Sequence, residues 1–129
     1  MIIYMLLNQD ELKELIDTGE LHKYKSNGRE DNIKQSILRD KANSTERYCL
    51  DGYVSKPEDK DKTVIIVEED NDKVLKYSSK AWNKISELLK YKRTNDINEL
   101  LNDMTNRDKY VLDRCLIWNI KLRQIVGWK

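Results

Sequence analysis

The chain has 129 residues, of which 36% are charged and 39% are hydrophobic, and its formal net charge at pH 7 is +1. This length is typical of one domain that folds without a disulfide or a metal. The near-neutral charge excludes an overall attraction to nucleic acids or anionic membranes. No apolar run approaches the roughly 20 residues of a membrane span, and "MIIYMLL" lacks the features of a secretory signal. We therefore expect a cytoplasmic protein.

The first 19 residues predict a buried strand followed by a helix. The strand is "MIIYMLL", and Asn8 and Glu11 after it have the spacing of a capping box. Gly19 occupies the position at which a left-handed residue ends a helix. Three apolar side chains share one face of this helix: Leu12, Leu15 and Ile16.

The next forty residues predict short, irregular elements. "GELHKYKSNG" predicts a short exposed strand and a turn, and "EDNIKQSILRDKAN" predicts a helix. The inward side chains of that helix are Ile33, Ile37 and Leu38. In "RYCLDGYVSK", Asp51 and Gly52 lie between apolar pairs, which predicts a hairpin with its turn at these two residues.

A polar loop, "SKPEDKDKT", then leads to "TVIIVEE", a central-strand candidate because it is apolar on both faces. "DND" predicts a turn and "KVLKYS" a further strand. "SSKAWNKISELLKYKR" predicts a helix capped by Ser78 or Ser79. Its apolar residues recur at helical spacing: Trp82, Ile85, Leu88 and Leu89.

The last third predicts one more helix and a closing strand. "TNDINELLNDMTNRDKYVLDRC" is helical in pattern, with Ile97, Leu100, Leu101 and Met104 on one stripe. The alternation of Leu116, Trp118, Ile120 and Leu122 predicts a strand. "RQIVG" predicts a turn and "GWK" a short return. We expect both tail tryptophans, Trp118 and Trp128, to cover the core.

Together these elements predict one α+β domain over residues 1–129. Its core is a mixed sheet of five to six strands, packed by two to four helices. The main helices are expected around 9–18 and 79–92, with a helix at 95–105 alongside.

The residues that most often carry chemistry are sparse and scattered. His22 is the only histidine, and we interpret it as exposed and Cys49 and Cys115 as reduced and mostly buried. A zinc site or a Cys–His nucleophile would need them brought together, and a bridge between the two cysteines stays open. The four glycines match no phosphate-binding loop, and "EEDND" is typical of a solvated turn rather than a calcium loop. No cofactor or metal is expected.

The main charge feature is a lysine stripe, in which the only acidic residue is Glu87. Its basic residues are Lys73, Lys76, Lys80, Lys84, Lys90, Lys92 and Arg93. Lys80 and Lys84 are four apart on the predicted helix, Lys76 extends their line, and Tyr77 and Tyr91 flank them. A solvated helix face is the favoured interpretation. If the stripe is a contact face, its binding residues are Lys76, Lys80, Lys84, Lys90 and Arg93.

Three stretches together resemble an uncharacterised bacterial family, a domain of unknown function. They are "IIYMLLNQDELKELIDTG", "TVIIVEEDNDKVLKYSSKAWNKI" and "IWNIKLRQIVGWK", and they cover about half of the chain. The family position after the closing Trp is usually acidic, whereas this chain has Asn119. The aromatic-rich segment before the middle strand is replaced by "STERYCLDGYVSK".

The opening of that family is similar in layout to ADP-ribosyltransferase-like domains, whose split sheet binds NAD. Their early His or Arg and late Glu are absent here, since the first strand is wholly apolar and the late strand offers Asn119. The resemblance implies a related scaffold reused for binding.

Three function hypotheses follow. The leading one is a small cytoplasmic, non-enzymatic binding or inhibitory protein, carried by a phage or mobile element, that contacts a partner protein through the lysine stripe. The Lys, Asn and Ile content is typical of low-GC bacteria and phages. The second is an ADP-ribosyltransferase-like enzyme with a pocket of Asn8, Gln9, Tyr53 or Asn119 for NAD. The third is nucleic-acid binding through the stripe. The oligomeric state is left open.

Overall fold

Eight strands and three helices have described bounds in the computed structural model, which describes residues 1–22, 34, 36–38, 49–91 and 97–128. The strands are β1 (Ile2–Leu7), β2 (Glu20–Leu21), β3 (Leu50–Tyr53), β4 (Thr63–Glu68), β5 (Leu75–Tyr77), β6 (Arg114–Ile117), β7 (Ile120–Lys121) and β8 (Ile125–Trp128). The helices are α1 (Gln9–Thr18), α2 (Ser79–Lys90) and α3 (Ile97–Asp103). Lys34 and residues 36–38 are also helical.

The main sheet has six strands in the order β5-β6-β3-β1-β4-β8, and β2 and β7 form a separate two-stranded sheet. The predicted α+β class and number of strands are confirmed. The mixed sheet is wrong, because every pairing in it is antiparallel. Helix α1 leads the chain to β2 in the small sheet rather than to a parallel neighbour of β1, so no parallel crossover forms.

The predicted capping box of α1 is confirmed. The side-chain oxygen of Asn8 accepts from the Glu11 backbone N–H at 2.8 Å, and a Glu11 carboxylate oxygen accepts from the Asn8 backbone N–H at 3.1 Å. Gly19 ends the helix with φ +80°, which favours glycine. Leu15 is buried, but Ile16 is 53% exposed, so the apolar face is narrower than predicted.

The two faces of the main sheet pack against separate apolar clusters. The first cluster lies on the side of α1 and of the small sheet, and includes Ile3, Met5, Ile65 and Ile120. The second cluster lies on the side of α2 and α3, and includes Leu38, Tyr77, Trp82, Ile85 and Leu116. Neighbours along a strand go to opposite clusters, as Cys115 and Leu116 do, because side chains alternate across a strand.

The hairpin predicted at Asp51 and Gly52 is wrong. Both residues lie inside β3, which pairs with β1 on one side and β6 on the other. Gly52 allows close packing against β1 instead of forming a turn. A Cβ on Gly52 would lie 2.5 Å from Met5 Sδ and 3.2 Å from the Tyr4 carbonyl oxygen, closer than side chains tolerate.

The tail is part of the fold but differs from the single predicted strand. It forms β6, turns at Trp118 and Asn119, joins the small sheet as β7, and returns as β8 at the edge of the main sheet. Trp118 packs against the second cluster. Trp128 is 59% exposed, so the prediction that it covers the core is wrong. It lies on an edge strand, which has one neighbour to pack against.

The remaining predicted elements are partly confirmed. Ser78 is the N-cap of α2, and β4 lies between β1 and β8 as an interior strand. The last helix is shorter than predicted: α3 ends at Asp103, and turns occupy the residues before β6. Leu38 is buried and Ile37 half-buried, while Ile33 lies outside the described residues.

Candidate functional site

Helix α2 presents two of the predicted lysines on one outer line. Its N-cap, Ser78, accepts through Oγ from the Ala81 backbone N–H at 3.1 Å and is itself buried. Lys80 and Lys84 are exposed and one turn apart. Glu87 and then Tyr91, which is 66% exposed, continue the same line at helical spacing. Along this line, the basic residues are therefore confined to the N-terminal half of α2.

The predicted extension of this line through Lys76 is wrong. Leu75 and Tyr77 pack with α2 in the second cluster, so Lys76 between them points to the opposite face of the sheet. Its backbone partner across the strands is Cys115, which belongs to the first cluster. Tyr77 is buried and cannot flank an exposed stripe.

The other stripe residues lie apart as well. Lys90 is exposed in the last turn of α2, about 15 Å along the helix axis from Lys80 at 1.5 Å per residue. Lys73 Nζ is 3.8 Å from Asp70 Oδ2 in the turn before β5. Lys92 and Arg93 lie outside the described residues, so the structure places neither.

Lys80 and Lys84 line one wall of an open cleft of about 510 Å³. The residues around this lysine cleft are Ser78, Ser79, Lys80, Lys84, Lys109, Tyr110, Val111 and Asp113. Lys84 Nζ lies 3.4 Å from Tyr110 Oη and 5.4 Å from the centre of its ring. Three ammonium groups from two separate segments of the chain therefore share one concave surface.

Two carboxylates stabilise the walls of the lysine cleft. Lys109 Nζ is 3.1 Å from Asp103 Oδ1, and that contact raises the pKa of Lys109. Asp113 accepts from the backbone N–H of Ser79 at 2.9 Å and from its hydroxyl. Although burial opposes it, these two hydrogen bonds hold the pKa of Asp113 below its usual range. Asp113 thus occupies the position at the start of α2 where an external anion would otherwise bind.

A second polar group lies on the α2 side of the sheet, around Asp51. Asp51 Oδ2 is 2.6 Å from Lys34 Nζ, and Oδ1 is 3.0 Å from an Arg114 guanidinium nitrogen. Tyr77 Oη lies 2.9 Å from both carboxylate oxygens. The Arg114 guanidinium carbon lies 3.9 Å from the centre of the Tyr53 ring. We call Lys34, Asp51, Tyr77 and Arg114 the Asp51 cluster.

The sequence does not predict the Asp51 cluster, because the local pattern around Asp51 favours a turn. No local pattern predicts it, since its members are 17, 26 and 63 residues from Asp51 in the chain. Burial raises the pKa of Tyr77, and the neighbouring Asp51 charge adds to that effect. The tyrosine therefore stays protonated and donates to the carboxylate.

The residues proposed for an NAD pocket do not converge. Asn119 lines a separate cavity of about 840 Å³ together with Lys121, Arg123 and Gln124. Asn8 caps α1 beyond Leu7, and the antiparallel register places Leu7 at the opposite end of β1 from this cavity, whose wall includes Met1. The Tyr53 ring packs against the Arg114 guanidinium group. Of the four residues proposed for the NAD pocket, only Asn119 lines the 840 Å³ cavity.

The cysteines and the histidine occupy different surroundings. Cys49 and Cys115 are buried, as predicted, and are not joined by a disulfide. Burial raises the pKa of Cys115 to about 12, which keeps its thiol protonated at neutral pH. His22 is half-buried rather than exposed, and its Nε2 is 3.0 Å from Glu20 Oε2. Among the described residues, no group of three or more His, Cys, Asp or Glu side chains could hold a metal ion.

No helix in the described ranges is long and apolar enough to cross a membrane. Comparisons of the chain with protein-family models, with curated proteins and with solved structures found no match in any of the three. The resemblance to an uncharacterised bacterial family, and through it to ADP-ribosyltransferase-like domains, stays a prediction.

Proposed function

We propose that this protein is a small, non-catalytic binding or inhibitory protein of the cytoplasm that recognises an acidic surface of a partner protein through the lysine cleft. One observation carries the proposal. Lys80 and Lys84 from α2 and Lys109 from the segment after α3 line the same cleft, although they are far apart in sequence.

The charges in the lysine cleft are incompletely neutralised within the chain. Lys80 and Lys84 repel each other by about 0.3 kcal/mol at this helical spacing. In the part of the chain that the structure describes, neither lysine pairs with a carboxylate, whereas Lys109 pairs with Asp103. A partner's carboxylates would relieve this repulsion and would also steer the two proteins together.

An apolar surface beside the lysines favours a protein over a small anion. Val111 lines the lysine cleft and is 83% exposed, and Tyr110 forms the neighbouring wall. Protein interfaces combine an aromatic or apolar centre with a polar rim, and tyrosine is enriched in them. A free phosphate or carboxylate would leave this apolar surface unused.

The best-placed reactive groups are already engaged, which supports a non-catalytic role. Both carboxylate oxygens of Asp51 accept from neighbouring side chains, and Asp113 accepts twice from Ser79. The buried thiol of Cys115 is protonated at neutral pH. A general base or nucleophile would need a free lone pair facing a substrate.

Charge reversal tests the proposal. A fluorescent oligo-glutamate peptide should bind the wild-type protein, and Lys80→Glu/Lys84→Glu should weaken binding about tenfold or more, measured by fluorescence anisotropy. A matched control is Lys60→Glu/Lys62→Glu, which makes the same charge change at two exposed positions in the loop before β4.

The same variants identify a natural partner. Immobilised wild-type protein and the loop variant should capture the same protein from a host lysate, and the cleft variant should lose it. Equal capture by all three, or equal peptide binding by both variants, would exclude the lysine cleft as the contact surface.

The second candidate is NAD binding, supported by the position of Asn119 in the 840 Å³ cavity beside Lys121 and Arg123. Isothermal titration with millimolar NAD is the test. Heat that disappears in Asn119→Ala/Arg123→Ala would favour an ADP-ribosyltransferase-like function. No heat at that concentration would exclude it.

The third candidate, nucleic-acid binding, uses the same lysines with phosphates as ligands. The logarithm of its affinity should fall with the logarithm of salt concentration, with a slope of about −3 if three phosphates are neutralised. A duplex oligonucleotide that competes with oligo-glutamate and shows this slope would favour it over a protein partner.

A further inference from the structure

Strand β8 forms one edge of the main sheet and pairs with β4 alone among the described strands. An edge strand presents backbone N–H and C=O groups that have no partner on the outer side, and these groups can pair with a strand of another chain. A register shift in the pairing with β4 makes a β-bulge at Val126, which increases the local twist of this edge strand without covering its outer side. The outer side of β8 is therefore able to accept a further strand.

Exposed apolar side chains are concentrated at this edge. Seven large hydrophobic residues are exposed in the described part of the chain, and three of them, Leu122, Val126 and Trp128, lie in or just before β8. Val126 is 56% exposed and Trp128 is 59% exposed. An exposed tryptophan on an open edge is a typical anchor of a protein interface. We call Leu122, Val126, Trp128 and the outer backbone of β8 the β8 edge.

The other edge of the same sheet, β5, is protected against pairing with further strands. Strand β5 has three residues, and its middle residue is the exposed Lys76. A lysine on an edge strand is a common protection against pairing with other chains, because an added strand would have to desolvate its charge. Strand β8, "IVGW", has no charged residue.

The charges beside the β8 edge indicate what pairs with it. The 840 Å³ cavity next to Val126 is lined by three basic residues, Lys73, Lys121 and Arg123, by three acidic residues, Glu68, Glu69 and Asp70, and by Met1, whose ammonium group donates to the Glu69 carbonyl, so that its positive and negative charges nearly balance. A partner of strong net charge would gain little from such a balanced rim. A second copy of this chain has the same balanced rim, and its formal net charge of only +1 gives little repulsion.

We propose that the β8 edge is a homodimer interface, in which β8 pairs antiparallel with β8 of a second copy around a two-fold axis. Each copy presents the same surface, as an isologous interface requires. The pairing satisfies the outer backbone groups and buries Val126 and Trp128 of both copies. The two main sheets then become one continuous sheet, with the lysine-protected strand β5 at each outer edge. This proposal is independent of the lysine cleft.

Sedimentation equilibrium tests the proposal. The wild-type protein should dimerise between micromolar and submillimolar concentration, and Val126→Lys/Trp128→Lys should raise the dimer dissociation constant tenfold or more, because like charges meet across the two-fold axis. The control is Ile16→Lys, which places the same charge on an exposed apolar residue of α1. It should dimerise as the wild type does, and so should Lys80→Glu/Lys84→Glu.

Hydrogen–deuterium exchange of the wild-type protein gives a second readout that needs no variant to fold. Backbone amides of β8 should gain protection as protein concentration rises, and amides of β5 should not. A monomer throughout this range, a dimer that survives both lysine substitutions in β8, or protection that is independent of concentration would each overturn the proposal. A monomer that binds an extended peptide at β8 would assign the edge to another protein instead.

Discussion

The two faces of the main sheet are stabilised in different ways. The first cluster, on the side of α1, is built entirely from apolar residues, and its members come from alternate positions of the strands. The second face combines apolar packing with the Asp51 cluster, and the lysine cleft opens at the start of the helix that covers it. The difference teaches that the first face stabilises the fold by apolar packing, while the second face adds position-specific polar contacts to its apolar packing and carries the candidate binding site.

The largest expected effect tests the first face through the tail. Ile120→Ala should lower the free energy of unfolding by about 4 kcal/mol, because it leaves a cavity in the first cluster at a fully buried position. Trp128→Ala removes a larger but exposed side chain and should change it by less than about 0.5 kcal/mol at low protein concentration. Urea denaturation measures both. Similar losses in the two variants would contradict this description of the tail.

Next in size is the effect of removing the carboxylate of the second face. Asp51→Ala should cost about 3 kcal/mol, because Lys34, Tyr77 and Arg114 then lose a shared acceptor in a partly buried position. Asp61→Ala in the exposed loop before β4 is the control and should cost less than about 0.5 kcal/mol. Thermal and urea unfolding provide the measurement. If Asp51→Ala left the free energy of unfolding unchanged, the Asp51 cluster would contribute nothing to stability.

The two helix caps provide a smaller, matched comparison. Ser78→Ala, at the buried cap of α2, should cost about 2 kcal/mol, since the Ala81 N–H loses its acceptor away from water. Asn8→Ala, at the exposed cap of α1, should cost about 1 kcal/mol, and Asn8→Ser should restore most of it. Equal costs in urea unfolding would show that burial of the cap is unimportant.

The smallest expected effect is a pH dependence at the start of α2. The pKa of Asp113 is lower in the folded state than its unfolded value of about 3.9. The contribution of Asp113 to the free energy of unfolding is therefore complete above its pKa in the unfolded state. It is lost as the pH falls through its pKa in the folded state. Between about pH 5 and pH 3, Asp113→Asn should lose less stability than the wild type. Asp108→Asn, at an exposed position, should follow the wild type, and identical pH profiles for all three proteins would contradict the assignment.

The elements that the sequence predicted well are those whose signals are local. The capping box of Asn8 and Glu11, the left-handed Gly19 and the Ser78 cap involve residues within four positions of each other, and all three are confirmed. The strand β4 was recognisable from its apolar run alone. Local hydrogen bonds and side-chain alternation are encoded in short windows, so they need no knowledge of the fold.

The errors arose where a local pattern has two structural solutions. "LDGY" fits a two-residue turn, but it also fits a strand that a neighbouring backbone approaches closely, and the approach of Tyr4 and Met5 selects the second. Lys76 was assigned to the line of Lys80 and Lys84 because it precedes them in sequence. The alternation of β5 places it on the other face of the sheet.

Only the part of the lysine cleft that lies on one helix could be predicted, because only that part has a local signal. Lys80 and Lys84 were identified from helical spacing, whereas Lys109 and Tyr110 join them only because the turns after α3 fold back onto the start of α2. The Asp51 cluster depends on three strands and a helical segment that meet in space.

The amino-acid sequence by itself determined the α+β class, the helix caps of α1 and α2 and the apolar residues of the strands, because these depend on neighbours one to four positions away. Only the tertiary structure decided which strands pair, which face each charged residue occupies, and which edge stays open. Those properties depend on residues that are distant in the chain, and a pattern read along one dimension does not contain the distances between them.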